Sequence, residues 1–499
     1  MNERISGASI PAAARKIVGL GVASASVALV TVLPSAPAHA ASPLSWSPCA
    51  TVAKDWPEKD DTRTECAMLT VPMDYAKPQG RKIKIAVSRL KATDPEKRRG
   101  VLVVSPGGPG LFNLDSPLSL AKKGLRSLAT DHDVIGFDPR GVGYSDKIDC
   151  QEPPYEEQPT ATEKEKAKAF FDYQEKENRR CMATDSAFVR QLTTANIARD
   201  VDGIRAALGE SKISFFGVSY GTAVGANYRS MFDDRVDRMW LDSVMPPVMD
   251  SDAMNASLDE LSEKYFTEFV SWLARHDTEY HFGTTAETVR KTLFDLRDQL
   301  DREPIVVDKE TVLDREWATD QFKGGPDSWV QSAKDLATVS EGGIPQSARE
   351  AAGQDPATTF GFDDPHGGLN SLQYNAIMCN DGSGGRDFEK MWADKEARER
   401  TYPATGGHLE HGVFCAGWPW PAQQWKLAKG KSPLQLSGHT GEFDTPYSWA
   451  VAMRDTVGGT LLTIEDDVHG SLSSLPCATK AVDFFRTGRT TGGTCPGEQ

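Results

Sequence analysis

Short apolar runs alternate with segments of helical periodicity along much of this chain. Residues 100–105 and 133–137 are continuous apolar runs that lead into loops rich in Gly and Pro, a pattern typical of strands buried in a parallel sheet. Residues 194–208 carry apolar side chains at helical spacing behind Thr194, which we expect to be the N-cap. Further strands are predicted at 82–90, 212–218, 236–242, 433–437 and 460–464. Strands that alternate with helices predict an α/β fold with a mostly parallel sheet.

The pattern changes after Pro246. Residues 247–431 contain charged helical segments, Gly and Pro breaks and aromatic residues, without a strong strand signal. Strand patterns resume beyond residue 432. We therefore predict an α/β core formed by residues 41–246 and 432–499, interrupted by a mainly helical cap.

The first forty residues have the pattern of a signal peptide. A basic start precedes an apolar run at 17–33, and Ala38 and Ala40 form the small-x-small pattern of a cleavage site. The run is short for a membrane span and lacks basic stop-transfer residues, which argues against a membrane anchor. We expect cleavage near Ala40, secretion, and no membrane association afterwards.

The chain of 499 residues has a net charge of -15. Phosphate binding requires clustered Lys and Arg, so the acidic balance argues against nucleic acid as a partner. We expect a monomer without a cofactor.

All eight cysteines follow the predicted signal peptide. An even number in an exported chain favours disulfides. Pairing between neighbours along the chain closes short loops and is the simplest arrangement: 49–66, 150–181, 379–415 and 477–495. Metal binding is disfavoured, because no CxxC or HExxH motif occurs.

The strongest chemical signal is Gly-Val-Ser-Tyr-Gly at residues 217–221. It lies between a predicted strand and a helix that begins with small residues, which is the context of a nucleophile elbow. Ser219 is then the nucleophile, and the amide of Tyr220 would face the developing oxyanion. The alternative is an ordinary strand-to-helix turn.

A glycine-rich loop at 105–110 is placed to supply a second oxyanion donor, because glycine lets backbone approach a substrate carbonyl. Gly107 and Gly108 are both candidates, and a purely structural turn is the alternative.

The general base should follow a late strand, since such folds order their triad as Ser, acid, His. His469, after the strand at 460–464, is favoured over His439. The acid should lie in the loop after 433–437, where Asp444 is our first choice and Glu442 the alternative.

These motifs resemble the secreted tripeptidyl aminopeptidases of actinomycetes, in the proline iminopeptidase-like branch of the α/β hydrolases. The resemblance rests on Gly-Gly-Pro-Gly at 107–110, Asp-Pro-Arg-Gly-Val-Gly-Tyr-Ser at 138–145, residues 217–221 and 235–242, Thr445-Pro446 and His469-Gly470. It implies release of short peptides, typically tripeptides, from the free N-terminus of a peptide or protein substrate through an acyl-enzyme. A negative partner is then needed for the α-amine, and we predict Asp381 for that role.

The chain departs from the family pattern twice. The family usually spaces its acid as Asp-x-x-Thr-Pro, and here Glu442 occupies that position while Asp444 abuts Thr445. Val468 stands where the family often has glycine before its histidine. Two other functions remain open: an esterase or other small-acyl hydrolase on the same residues, and a catalytically silent binding protein.

Overall fold

The computed structural model describes residues 44–105, 107–150, 153, 155, 162–307, 312–351, 369–409 and 412–497. The predicted signal peptide and its cleavage site at Ala40 lie outside the described residues. The strands are β1 (Ser47–Pro48), β2 (Thr64–Pro72), β3 (Lys82–Leu90), β4 (Val101–Ser105), β5 (Asp133–Phe137), β6 (Ile213–Ser219), β7 (Val236–Val244), β8 (Ile305–Val306), β9 (Val312–Leu313), β10 (Leu434–His439), β11 (Thr460–Glu465) and β12 (Thr494–Pro496).

One sheet contains ten of these described strands, in the order β1-β2-β3-β5-β4-β6-β7-β10-β11-β12. Pairing is antiparallel from β1 to β5 and parallel from β5 through β12. The predicted α/β fold is confirmed. The parallel part brings the carboxyl ends of β4, β6, β7, β10 and β11 to one edge, where side chains distant in sequence meet.

Helices cover both faces of this sheet. The helices outside the insertion described below are α1 (Cys49–Val52), α2 (Ser116–Lys122), α3 (Leu128–Asp131), α4 (Glu163–Met182), α5 (Ser186–Val189), α6 (Thr194–Ala207), α7 (Tyr220–Phe232), α16 (Tyr447–Val457) and α17 (Ala478–Thr487). Successive strand side chains point to opposite faces. Phe215 packs with α6 and α7, whereas Phe216 packs against Phe485 of α17.

Helix α6 begins one residue from the predicted cap. Its N-cap is Thr193, whose Oγ1 accepts a hydrogen bond from the Asn196 amide at 3.2 Å, and Thr194 is the first helical residue. The side chains at the predicted apolar positions 197, 201 and 204 are fully buried, which packs the helix onto the sheet.

The chain between β7 and β10 is mainly helical. It contains α8 (Ser251–Arg275), α9 (Asp277–Tyr280), α10 (Ala286–Arg302), α11 (Arg315–Lys323), α12 (Trp329–Ser340), α13 (Gln346–Ala351), α14 (Ser371–Asp381) and α15 (Phe388–Thr401). Strands β8 and β9 form a small antiparallel pair that the sequence did not predict. Phe266, Phe269 and Leu273 of α8 lie in an apolar core with Val289 and Leu293 of α10. This insertion therefore buries its own apolar surface.

The four predicted disulfides are confirmed, pairing 49–66, 150–181, 379–415 and 477–495. Among the described residues, no helix is both long and apolar enough to cross a bilayer.

Candidate active site

Ser219 ends β6 and directly precedes α7. Its backbone has φ 56° and ψ -130°, a conformation that L-residues rarely adopt and that costs conformational energy. The preceding turn is tight, because a Cβ on Gly217 would lie 2.6 Å from the carbonyl oxygen of Gly221. The sharp turn leaves the Ser219 side chain partly exposed at the carboxyl edge of the sheet. This is the geometry expected of a nucleophile elbow.

The glycine loop after β4 lies directly against this serine. A Cβ on Gly107 would sit 3.3 Å from Cβ and 3.5 Å from Oγ of Ser219. A Cβ on Gly108 would instead contact the amide nitrogens of Gly110 and Leu111, at 3.1 and 3.2 Å. Gly107 is therefore the residue of this loop whose backbone approaches the nucleophile.

Replacing Gly107 by alanine should reduce kcat/KM by about 100-fold, because the methyl group would crowd Ser219 and the oxyanion position. We expect little change in Tm, because Gly107 is not one of the glycines with a positive φ among the described residues. Gly203→Ala, inside α6, is the control, because its Cβ would make ordinary contacts of 3.5 Å with Leu69 and Val71 of β2. Steady-state kinetics of both variants test this, and a Gly107→Ala enzyme as active as the control contradicts it.

His469 lies in the loop after β11 and hydrogen-bonds through Nδ1 to Oε1 of Glu442. Glu442 is 1% exposed, and its Oε2 accepts a hydrogen bond from Ser243 at 2.9 Å. Asp444, the acid we preferred from sequence, is 69% exposed at its side chain, with Oδ2 3.9 Å from His469 Nδ1. The loop turns Glu442 inward and Asp444 outward. The structure thus pairs His469 with the alternative acid, Glu442.

The Glu442 contact also sets the chemistry of His469. Burial lowers the pKa of His469, but the hydrogen bond and negative charge of Glu442, with Asp444 and Asp242, raise it overall above its usual value. Since Nδ1 faces the carboxylate, it carries the proton and Nε2 is left as the basic nitrogen. That is the tautomer a general base requires.

Ser243 joins the base and acid loops, and sequence reasoning missed it. Its hydroxyl donates to Glu442 and accepts the amide of Gly470 at 2.8 Å. Gly470 in turn lies against Val218, because a Cβ there would be 3.0 Å from Val218 Cγ1. The residue after His469 thereby contacts the residue before Ser219. Ser243 has an unusual backbone φ of 50°. This angle is a property of the folded chain, so no signal in the sequence pointed to Ser243.

His439, the rival base, is fully buried between two carboxylates. Its Nε2 lies 3.1 Å from Asp242 Oδ1 and its Nδ1 lies 2.6 Å from Asp466 Oδ1. Burial would lower the pKa of His439, but Asp242 and Asp466, with Glu442 adding, raise it to about 10. Both ring nitrogens are engaged, so His439 has no lone pair for a substrate proton.

Asp381, which we predict to bind the substrate α-amine, is buried in this structure. The residue is 1% exposed, and its Oδ2 accepts the amide of Thr194 at 2.8 Å. Thr194 Oγ1 is 2.7 Å from the hydroxyl of Tyr220. Burial raises the pKa of Asp381 to about 6, with the Thr194 hydrogen bonds opposing it. Asp381 therefore supports the start of α6 and, through it, the residue after the nucleophile.

The helical insertion contacts the loop that carries Glu442. Tyr265 of α8 donates a hydrogen bond to the carbonyl of Gly441. The ring of His408 lies 5.8 Å from that of Phe443. Among the described residues, no group of three or more His, Cys, Asp or Glu side chains is arranged to hold a metal ion.

Comparison with known proteins agrees with this architecture. Residues 100–319 match the family described as alpha/beta hydrolase fold, and residues 402–495 match the one described as TAP-like protein. A tripeptidyl aminopeptidase of Streptomyces lividans is 32% identical over 470 residues, covering 90% of this chain and 85% of its own.

More distant relatives carry different names. A serine protease of Mycobacterium tuberculosis is 26% identical over 488 residues, covering 91% of this chain and 90% of its own. Carboxylesterase B of the same species is 27% identical over 457 residues, covering 85% and 84%. The solved structure of a Mycobacterium smegmatis proline iminopeptidase aligns with a TM-score of 0.35 and 14% identity, covering 83% of this chain and 96% of its own.

The sheet order and the family matches define an α/β hydrolase. Within that class, the chain belongs to the tripeptidyl aminopeptidase family and is a hydrolase of the serine peptidase type.

Proposed function

We propose that Ser219, His469 and Glu442 form the catalytic triad. The pairing of His469 Nδ1 with the buried Glu442, on the same sheet edge as Ser219, is the observation that carries this proposal. His469 Nε2 takes the proton as Ser219 Oγ attacks the scissile carbonyl carbon. The amides of Tyr220 and Gly107 stabilise the oxyanion that forms on the carbonyl oxygen.

Collapse of the tetrahedral intermediate breaks the C–N bond, and His469 gives its proton to the leaving amine. Water then attacks the acyl ester, with His469 again taking the proton, and Ser219 is regenerated. The raised pKa of His469 favours the imidazolium that exists during both steps.

The proposed substrate is a peptide with a free N-terminus, from which the enzyme releases a tripeptide. The support is the relation to a tripeptidyl aminopeptidase, together with the helices of the proposed cap at 247–431, which touch the Glu442 loop through Tyr265. We further propose a secreted monomer whose residues 1–40 are removed, a location that the four disulfides support.

A tripeptide anilide with a free amine should be cleaved at least about 100-fold faster than its N-acetylated form, because acetylation removes the charge that the site binds. Release of the aniline chromophore measures both rates. Equal rates would overturn the aminopeptidase proposal. Hydrolysis restricted to a simple aryl ester would instead support an esterase, the second candidate, which the carboxylesterase relative favours.

A further inference from the structure

A buried charged cluster lies beside the segments that carry the proposed base and acid. His439, at the end of β10, separates the carboxylates of Asp242 on β7 and Asp466 after β11, and all three side chains are fully buried. Asp242 Oδ2 has no hydrogen-bond partner among the residues that the structure describes, and Oδ1 carries the polar contacts of that carboxylate. An imidazole can donate from both nitrogens to two carboxylates only when it is protonated. His439 is therefore a cation that balances two buried anions.

This cluster holds both loops of the triad. Asp466 begins the segment that leads to His469, and its Oδ2 accepts a hydrogen bond from Ser471, two residues beyond His469, at 2.7 Å. The amide of Gly441, next to Glu442, donates to the Asp466 carbonyl at 2.8 Å. On the other side, Asp242 precedes Ser243, which binds Glu442 and Gly470. The segment carrying His469 is thus tied at both ends to His439.

We propose that His439 is a positioning residue, a buried cation that fixes the His469 loop against β7 and offsets the negative charge of Asp242 and Asp466 near the base. This inference rests on the proposed triad. The proposed effect of the His439 charge can be separated from the effect of its packing. A neutral side chain of similar size would hold the loop in place but would contribute no positive charge to the electrostatic potential at His469.

The charged groups involved are few. His439 faces Asp242, Asp466 and, at longer range, Glu442. His469 faces Glu442, Asp444 and Asp242, each of which raises its pKa. Removing the His439 charge leaves Asp242 less compensated, which raises the pKa of His469. Removing the charge of Asp466 lowers the pKa of His469, because a negative charge near the base is lost.

Two substitutions that each remove one charge test this through the acid limb of the kcat/KM profile, which reports the pKa of the base in the free enzyme. His439→Gln should move that limb upward by about half a pH unit or more, and lower kcat about tenfold through the loosened loop. Asp466→Asn should move it downward, because His439 then lacks one of its two counter-charges. The double variant restores the net charge and should return the limb to within about 0.2 units of the parent.

Shifts of opposite sign in the single variants, cancelling in the double, support the proposal. Unshifted limbs, or shifts of one sign, in folded variants overturn it, because a purely structural role would change Tm and kcat only. If His439→Gln does not fold, Asp466→Asn alone decides by the direction of its shift. Labelling of Ser219 by a phosphonate is followed in parallel, so that failure of the triad itself appears as unlabelled Ser219 in the parent enzyme.

Discussion

Replacing Ser219 by alanine should lower kcat/KM on a free tripeptide anilide by about 10⁴- to 10⁶-fold, which leaves the catalysis that binding and oxyanion donors give by themselves. The loss is large because the acyl-enzyme step disappears entirely. Alanine keeps the strained backbone of the elbow, so Tm should stay within about 2 °C of the parent. Steady-state kinetics and thermal unfolding measure the two effects separately.

A serine-directed phosphonate gives an independent readout. The parent enzyme should be labelled on the peptide containing residue 219, and the Ser219→Ala enzyme should not be labelled at all. Ser119→Ala, an exposed serine in α2, is the matched control and should keep full activity and labelling. Residual labelling of the variant at another serine would mean that the nucleophile lies elsewhere.

The strands of the core are predictable because the hydrophobic pattern along each strand is local information. Buried parallel strands such as β4 and β5 have continuous apolar sequences, and the structure places them at Val101–Ser105 and Asp133–Phe137, within one residue of the prediction. The sharp turn at 217–221 is also local, since its glycines report a backbone constraint. Strands β8 and β9 were not predicted, because each has only two residues and such a short strand shows no hydrophobic periodicity.

The contacts between segments that are distant in the chain could not be predicted from local sequence patterns. Ser243 joins Glu442 to Gly470, across 199 and 227 residues, and nothing in the sequence near any of them indicates the pairing. The family resemblance predicts an acid for the α-amine at Asp381, and the structure places this side chain in the interior, where it accepts the amide of Thr194. The sequence indicates which residue types each loop carries, but the direction of each side chain is decided by tertiary packing.

The acid shows this limit most clearly. Two carboxylates separated by one residue are candidates for the triad acid. The Gly-Glu-x-Asp sequence of the loop favours Asp444, whereas the spacing to Thr445-Pro446 favours Glu442. The inward turn is stabilised by Thr445, whose hydroxyl donates to Glu442 Oε1. The Glu-x-x-Thr-Pro spacing is therefore physically meaningful, because the threonine binds the carboxylate three residues earlier.

Glu442→Gln should accordingly reduce kcat by about 10³- to 10⁴-fold, because the amide no longer stabilises the imidazolium or holds the reactive tautomer of His469. Asp444→Asn is the matched comparison, and it should reduce kcat by less than about threefold because the Asp444 side chain is exposed. Kinetics of both variants, with thermal unfolding to establish that each is folded, decide between the two acids. The reverse order of losses would restore Asp444 as the catalytic acid.

The pH profile adds a test whose sign follows from the same contacts. Glu442 raises the pKa of His469 by its hydrogen bond and its charge, and Asp444 raises it by charge alone. A base must be deprotonated to act, so activity rises with pH through this pKa. Losing Glu442 lowers the pKa, and the acid limb of the residual kcat/KM should move to lower pH. The limb of Asp444→Asn should move in the same direction by less, since its charge is screened by solvent.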